Sequence, residues 1–283
     1  MALILADLYA FNWTALNRMN RQMEGQDFFS QLMAGKPLAD FFHSQPGLFR
    51  VQVDAAYPTF INLGDMFEVQ TTWGQSATTL SDYLPYMWLP KGLDLLNVRY
   101  IAVAGKEREG QPVYNSGPWK VYENPSACPR AWVVYRVLRV SSSEAARKQI
   151  ERADFDTCQV ALIEEPLETE LTDQASPPAS VRFDLYQADR LALTVKSERP
   201  GLLVLSEMYY PGWEATVNGR PARIHKVNGL LRGIVVSEGE NRIYMRYRPR
   251  SVQFGGVLTA FAFLGTALFA GALWARERTA RPA

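Results

Sequence analysis

Histidine and cysteine are nearly missing from this chain, with two of each in 283 residues. His43 and His225 lie far apart, and neither has a cysteine or carboxylate at the spacing zinc ligands need, so no metal-site pattern is present. Cys128 and Cys158 are too few for a disulfide framework. They either pair, if the body sits in an oxidising compartment, or stay as buried thiols. Charge of one sign is also lacking, since 30 basic side chains stand against 29 acidic ones. A nucleic-acid partner would require a basic surplus gathered on one face, which this balance argues against. There is no glycine-rich phosphate loop ending in Lys-Ser/Thr and no Gly-x-Ser-x-Gly elbow. The sequence therefore names no catalytic residue, no cofactor and no metal ligand. Residues 1–5 (MALIL) are apolar but have no basic flank, no sufficient hydrophobic stretch and no small-residue cleavage site, so they do not read as a signal peptide.

What the chain does have is a long run without charge at 254–274, FGGVLTAFAFLGTALFAGALW. As a helix it is roughly 31 Å long, close to the thickness of a hydrocarbon core, whereas buried core helices are usually shorter and broken by polar residues. A transmembrane helix is expected at 251–275, with a tail at 276–283 and about 250 residues of aqueous body before it. If that body lies outside the cytoplasm, either this last helix inserts alone or further spans belong upstream. Hydrophobic residues at 47% and charged residues at 21% suit a folded body. The aromatic share, with 7 Trp and 13 Tyr, suits β-structure and surfaces that meet sugars or lipid headgroups.

Residues 6–35 read as loosely helical, 49–53 alternate as a strand does, and 58–90 read as loops with short elements. A buried strand is expected from about Val98 to Ala104, another at 119–122, and a third over 131–140. Ser141 and Glu144 have capping-box spacing before a helix at about 142–153, and 159–163 returns as a strand, so a strand, helix and strand suggest an α/β layer. The stretch 164–180 is acidic and then rich in Ser and Pro, as a linker is. Past it the texture is β. Leu191, Leu193 and Val195 alternate with smaller or polar residues, and 202–205 is apolar throughout. Asn218-Gly219 and Asn228-Gly229 mark two tight hairpin turns, and in 241–247 Ile243, Met245 and Tyr247 face one way while Arg242, Tyr244 and Arg246 face the other. The expected fold class is α+β: a mixed α/β region over 1–180, an antiparallel β-sandwich over 181–250, and one C-terminal transmembrane helix.

Two groups of residues stand out as candidate binding sites. Tyr209, Tyr210 and Trp213, around Pro211-Gly212, would stack on sugar C–H faces or sit at a membrane interface; equally, Pro and Gly would set a turn whose rings fill the sandwich core. Arg246, Arg248 and Arg250 precede the span and would meet lipid phosphates, or serve as solvated rim charges. Asp154-Phe155-Asp156 mimics a metal-holding Asp-x-Asp pair but follows a helix without a nucleotide fold around it, and reads as a loop and cap. Arg276, Arg278 and Arg281 after the span are offset by Arg242, Arg246, Arg248 and Arg250 before it, so charge does not decide sidedness.

Tyr209-Tyr210-Pro211-Gly212-Trp213, Val217-Asn218-Gly219, the run 228–233, Glu238-Gly239-Glu240-Asn241 and Tyr247-Arg248-Pro249 before a membrane helix resemble the C-terminal end of the YfhO family of bacterial membrane proteins. Leu96-Asn97-Val98-Arg99-Tyr100, Val121-Tyr122-Glu123-Asn124-Pro125 with Pro129-Arg130, and Ala6-Asp7-Leu8 are similar to earlier parts of that family. The resemblance implies a bacterial cell-membrane location and an extracytoplasmic body. It also implies kinship with multi-span glycosyltransferases that take sugar from a polyprenyl-phosphate carrier to glycosylate cell-envelope polymers. The catalytic acid of such proteins is expected in a membrane part outside this sequence, so no catalytic residue is carried over. The implied role is that of an accessory domain from a split gene, a late start or a partner subunit. Its partners would be the lipid bilayer, a multi-span membrane part, and a glycan or lipid-linked sugar. The alternatives are a non-catalytic carbohydrate- or envelope-binding or assembly module tethered by one helix, and a stranded fragment without a function of its own. Gly256, Ala260, Ala267 and Gly271 lie roughly along one helix face, which suits close packing in a bundle more than a lone tether.

Overall fold

The computed structural model describes residues 13, 33–54, 63–74, 80–169, 171 and 177–279. The helical reading of 6–35 and the likeness at Ala6-Asp7-Leu8 lie almost wholly outside these, as does the middle of the Ser- and Pro-rich stretch at 172–176. The chain divides into two compact units, 1–131 with 144–158, and 132–143 with 159–283.

In the first unit, helix α1 (Lys36–His43) starts at a Pro in its first turn, where the missing N–H costs nothing, and buries Leu38, Ala39 and Phe42. Strands β1 (Arg50–Asp54), β2 (Val98–Ala104), β3 (Tyr114–Ser116) and β4 (Trp119–Glu123) form a sheet in the order β1-β2-β4-β3. β1 runs parallel to β2 and the other pairs are antiparallel. Leu38, Phe42, Val51, Tyr100, Trp119 and Val121 make its core. Two short helices, α2 (Leu63–Phe67) and α3 (Leu84–Met87), lie within 58–90, α4 (Pro90–Leu95) follows directly, and α5 (Ser143–Glu151) comes later in the chain. At α5, Glu144 pairs with Lys148 one turn on at 2.8 Å, and the Ser143 hydroxyl donates to Glu164.

Residues 94–130 hold a polar knot in which Asp94, Asn97 and Arg130 are buried. Asn97 takes a left-handed conformation (φ 58°) after α4, and its amide donates to the Cys128 carbonyl at 2.8 Å. The Asn124 side-chain amide donates to the Asp94 carboxylate at 2.8 Å and to the Val98 carbonyl at 3.0 Å. Burial pushes the Asp94 carboxyl above its ordinary value, which the Asn124 hydrogen bond and the Lys91 charge partly offset. Arg99 pairs with Glu123, and Arg130 donates to Gln70 at 2.6 Å. Cys128 and Cys158 are joined in a disulfide. Lys91 donates to the carbonyls of Arg152, Ala153 and Phe155 just past α5, tying the same segment down.

The second unit holds two sheets. Strands β5 (Ala131–Val134), β6 (Arg136–Arg139), β7 (Val160–Ile163), β10 (Gly201–Met208), β13 (His225–Val227) and β14 (Leu231–Val236) form one, in the order β5-β10-β14-β13-β7-β6. The apolar run 131–140 is therefore two strands, not one, and they lie at opposite edges of this sheet. The break is at Tyr135, whose hydroxyl lies 2.9 Å from that of Ser197 and whose ring is covered by Arg199. β6 and β7 pair in parallel, as two strands separated by a helix in sequence do. Strands β8 (Ser180–Tyr186), β9 (Arg190–Ser197), β11 (Trp213–Val217), β12 (Arg220–Ala222) and β15 (Gly239–Tyr247) form the other sheet, wholly antiparallel, in the order β12-β11-β15-β9-β8. Period-two burial along β9 and β15 puts Leu191, Leu193, Val195, Ile243 and Met245 inside and leaves Thr194, Arg242 and Tyr244 outside. β10 is buried over 201–206, the signature of a strand covered on both faces. Tyr186 of β8 donates to Glu207 of β10 at 2.6 Å, bridging one sheet to the other.

Both Asn-Gly turns form with positive φ at each residue: Asn218 52° and Gly219 77°, Asn228 54° and Gly229 70°. After β15 the chain enters α6 (Arg250–Thr279), whose segment Arg250–Ala272 is long and apolar enough to cross a membrane and has none of its surface buried against the described body. The α+β class, largely antiparallel sheets and the C-terminal apolar helix expected from the sequence are thus present among the described residues.

Candidate functional site

The turn Tyr209-Tyr210-Pro211-Gly212 links β10 to β11 where the body meets α6. Gly212 has φ +103°, a value L side chains rarely adopt. Its carbonyl accepts from the Arg248 backbone N–H at 2.7 Å, which ties the turn to the segment leading into α6. A Cβ on Gly212 would lie 3.0 Å from Pro249 Cα and 3.1 Å from the Tyr247 ring. Gly212→Ala is therefore expected to destabilise the second unit by about 2 kcal/mol, from backbone strain together with the forced shift of Pro249. Urea unfolding followed by near-ultraviolet circular dichroism checks this, and an unchanged midpoint would refute it.

β11 pairs with β15 so that Trp213 lies opposite Tyr247. Their ring centroids are 5.5 Å apart, and Tyr210 stands 6.2 Å from Tyr247, so the three rings form one tilted stack. From the core side the guanidinium of Arg232, a residue only 5% exposed, sits 3.8 Å from the centre of the Trp213 ring while its Nε donates to the Met208 carbonyl at 2.8 Å. A desolvated cation over an indole is worth up to about 2 kcal/mol and fixes the ring. Trp213 is half-buried, whereas Tyr209 and Tyr210 are exposed, at 38% and 45%. Trp213 is thus anchored from below, and the tyrosines remain at the surface.

The three arginines also divide. Arg246 pairs with Glu214 at 2.8 Å on the neighbouring strand. Arg248 and Arg250 have no partner for their guanidinium groups among the described residues, and both line an open cleft of about 720 Å³ together with Tyr210, Trp213 and Tyr247. Aromatic faces and free guanidinium groups therefore share one cleft at the foot of the apolar helix. Sequence reasoning missed Tyr247 and Arg232. The first had a signal, since an aromatic residue ends a strand directly before Arg248. Nothing local marks Arg232.

The other candidates have structural roles. Asp154 accepts both nitrogen contacts of Arg152, at 3.0 and 3.1 Å, Asp156 caps the Cys158 N–H at 3.0 Å, and Phe155 is buried between them. His225 is buried with its Nε2 3.0 Å from Glu168, and His43 ends α1. Among the described residues no group of three or more His, Cys, Asp or Glu is placed to hold a metal ion.

A β-rich body leading directly into one long apolar helix, with a cleft at their junction, defines a membrane-anchored protein. Residues 167–259 match the family model described as "Bacterial membrane protein YfhO", a range that takes in β8 through β15 and the start of α6. That stretch, about a third of the chain, is thus similar to the YfhO family of bacterial membrane proteins. The match stops short of 96–130, where the likeness rests on Asn97, Arg99, Asn124 and their neighbours alone. No curated protein and no solved structure matches the chain.

Proposed function

We propose that this chain is a membrane-anchored extracytoplasmic accessory domain of a YfhO-like glycosyltransferase, and that it positions a lipid-linked sugar or a cell-envelope polymer beside a catalytic multi-span membrane part. The observation that carries the reading is the junction cleft, where Tyr210, Trp213 and Tyr247 adjoin Arg248 and Arg250 at the point where α6 leaves the body. Rings offer flat apolar faces to a sugar, and guanidinium groups offer paired donors to a phosphate, so the cleft suits a ligand that carries both next to a lipid surface. The disulfide supports placing the body outside the cytoplasm, because such bonds persist in oxidising compartments.

A second reading is a non-catalytic carbohydrate- or envelope-binding module held by one helix. It is favoured by the exposure of Arg250–Ala272, none of which is buried among the described residues, which leaves the helix for lipid to cover. One experiment tests the shared core of both readings. Tyr209, Tyr210 and Trp213 replaced together by Ala, in the full chain, are expected to lower binding of envelope glycan by about tenfold or more while the body stays folded. Unchanged glycan binding by the folded variant would sink the cleft as a sugar site. Photocrosslinking from Gly256 or Gly271 in membranes separates the two, since only the first reading predicts capture of a multi-span partner.

A further inference from the structure

The outward face of the five-stranded sheet is unused by the junction cleft, and its side chains are arranged around one ring. Register sets Tyr244 of β15 directly opposite Ala192 of β9 on one side and Thr216 of β11 on the other. Both neighbours are small, so the ring is left 40% exposed on the floor of an open recess of about 840 Å³. That size lies within the range of about 300–1,000 Å³ usual for small-ligand clefts. The recess is walled by charged groups that already compensate each other. Asp184 accepts from the Thr194 hydroxyl at 2.6 Å and from Arg182 Nε at 2.9 Å. Glu240 lies 3.3 Å from Lys196 and accepts from Arg242 at 3.3 Å. Hydrogen bonding, to Thr194 and to Lys196 respectively, holds both carboxyls below their ordinary range, so they stay ionised as acceptors.

We propose that this recess is a second binding site, for a neutral oligosaccharide, with Tyr244 as the stacking platform and Asp184, Glu240, Arg182 and Arg242 as hydroxyl partners. A charged ligand would have to break ion pairs to gain its own. A neutral polyhydroxylated ligand instead uses the spare lone pairs of the carboxylates and the spare N–H groups of the guanidiniums, which remain available when each ion pair is intact. Small residues on either side of the ring leave its face open to a flat apolar sugar surface. The inference rests on the glycan-handling reading of the body but not on the junction cleft.

The test uses the full chain in lipid nanodiscs and saturation-transfer difference NMR with tetrasaccharides of glucose, galactose and N-acetylglucosamine, against an anionic poly(glycerol phosphate). At least one tetrasaccharide is expected to bind, Tyr244→Ala to weaken it roughly five- to tenfold, and Tyr244→Trp to restore it. Tyr244 faces solvent, so the variants are expected to keep the wild-type melting temperature. Replacing Tyr210 and Trp213 by Ala is expected to leave this binding intact, whatever it does at the cleft. The proposal is overturned if no tetrasaccharide binds, if Tyr244→Ala binds as the wild type does, or if only poly(glycerol phosphate) binds. Binding that survives at Tyr244 while the cleft variants prove inert would refute the cleft and leave the recess standing.

Discussion

Asn228→Ala is expected to cost the second unit about 2–4 kcal/mol, well beyond what Asn218→Ala costs at the equivalent place in the other Asn-Gly turn. The two asparagines use the same device. Each sits at positive φ in a hairpin and clasps a strand beside it with its backbone N–H and its side-chain oxygen. Asn218 N–H donates to the Arg242 carbonyl and its Oδ1 accepts from the Arg242 N–H, both at 2.8 Å. Asn228 does the same to Leu162 at 2.7 and 2.8 Å, joining the β13–β14 turn to β7. What differs is burial. Asn228 is 1% exposed and Leu162 fully buried, whereas the Asn218 clasp lies at the surface. Removing the side chain at 218 lets water replace it. At 228 it strands the Leu162 N–H in the interior, at about 1–3 kcal/mol, and adds the strain of Ala at positive φ, roughly 1 kcal/mol. Asn228→Gly separates the contributions, since glycine relieves the strain but not the lost acceptor. It is expected to recover about 1 kcal/mol of the loss in urea unfolding. Equal costs at 218 and 228 would refute the burial argument.

Much of the second unit was legible because one-sided burial writes a period of two into a strand. The alternation of β9 and β15, the Asn-Gly turns and the uncharged run of α6 are local signals, and each has its counterpart in the structure. Pairing across the chain is not local. Nothing in 131–140 shows that its two halves go to opposite edges of a sheet, because the choice is made by β10 and β7, far along the sequence. The site was legible in the same partial way. Tyr210, Trp213, Arg248 and Arg250 stand out by residue type, but that they line one cleft depends on the Trp213–Tyr247 register of β11 and β15. The same register pairs Arg246 with Glu214, a residue that itself lines the cleft. The polar knot of Asp94, Asn97 and Asn124 was hidden for another reason: buried polar residues look like loop residues until their partners are known.

Replacing Cys128 and Cys158 by Ser is expected to destabilise the first unit by about 3–4 kcal/mol. The bond closes a separation of 30 residues, and loop-closure entropy for a ring of that size is of this order. The chain's course makes the bond matter. After Cys128 it leaves the first unit for β5 and β6 and returns with α5, and the disulfide ties down the far end of the returned segment at Cys158. Lys91 supports the same segment through three carbonyls, but it is only partly buried and two of these hydrogen bonds lie where water competes. Hydrogen exchange in the double variant is therefore expected to rise first at 144–158, with 94–128 following because the Cys128 carbonyl and N–H anchor the Asn97 and Asp94 knot. An exchange pattern identical to the wild type would refute a stabilising role. The bond also reports on the side of the membrane. In intact cells an extracytoplasmic body is expected to show no maleimide labelling at either cysteine until it is reduced and denatured. Labelling of both thiols without a reductant would place the body in the cytoplasm, and with it would fall the proposal that the cleft meets an envelope polymer.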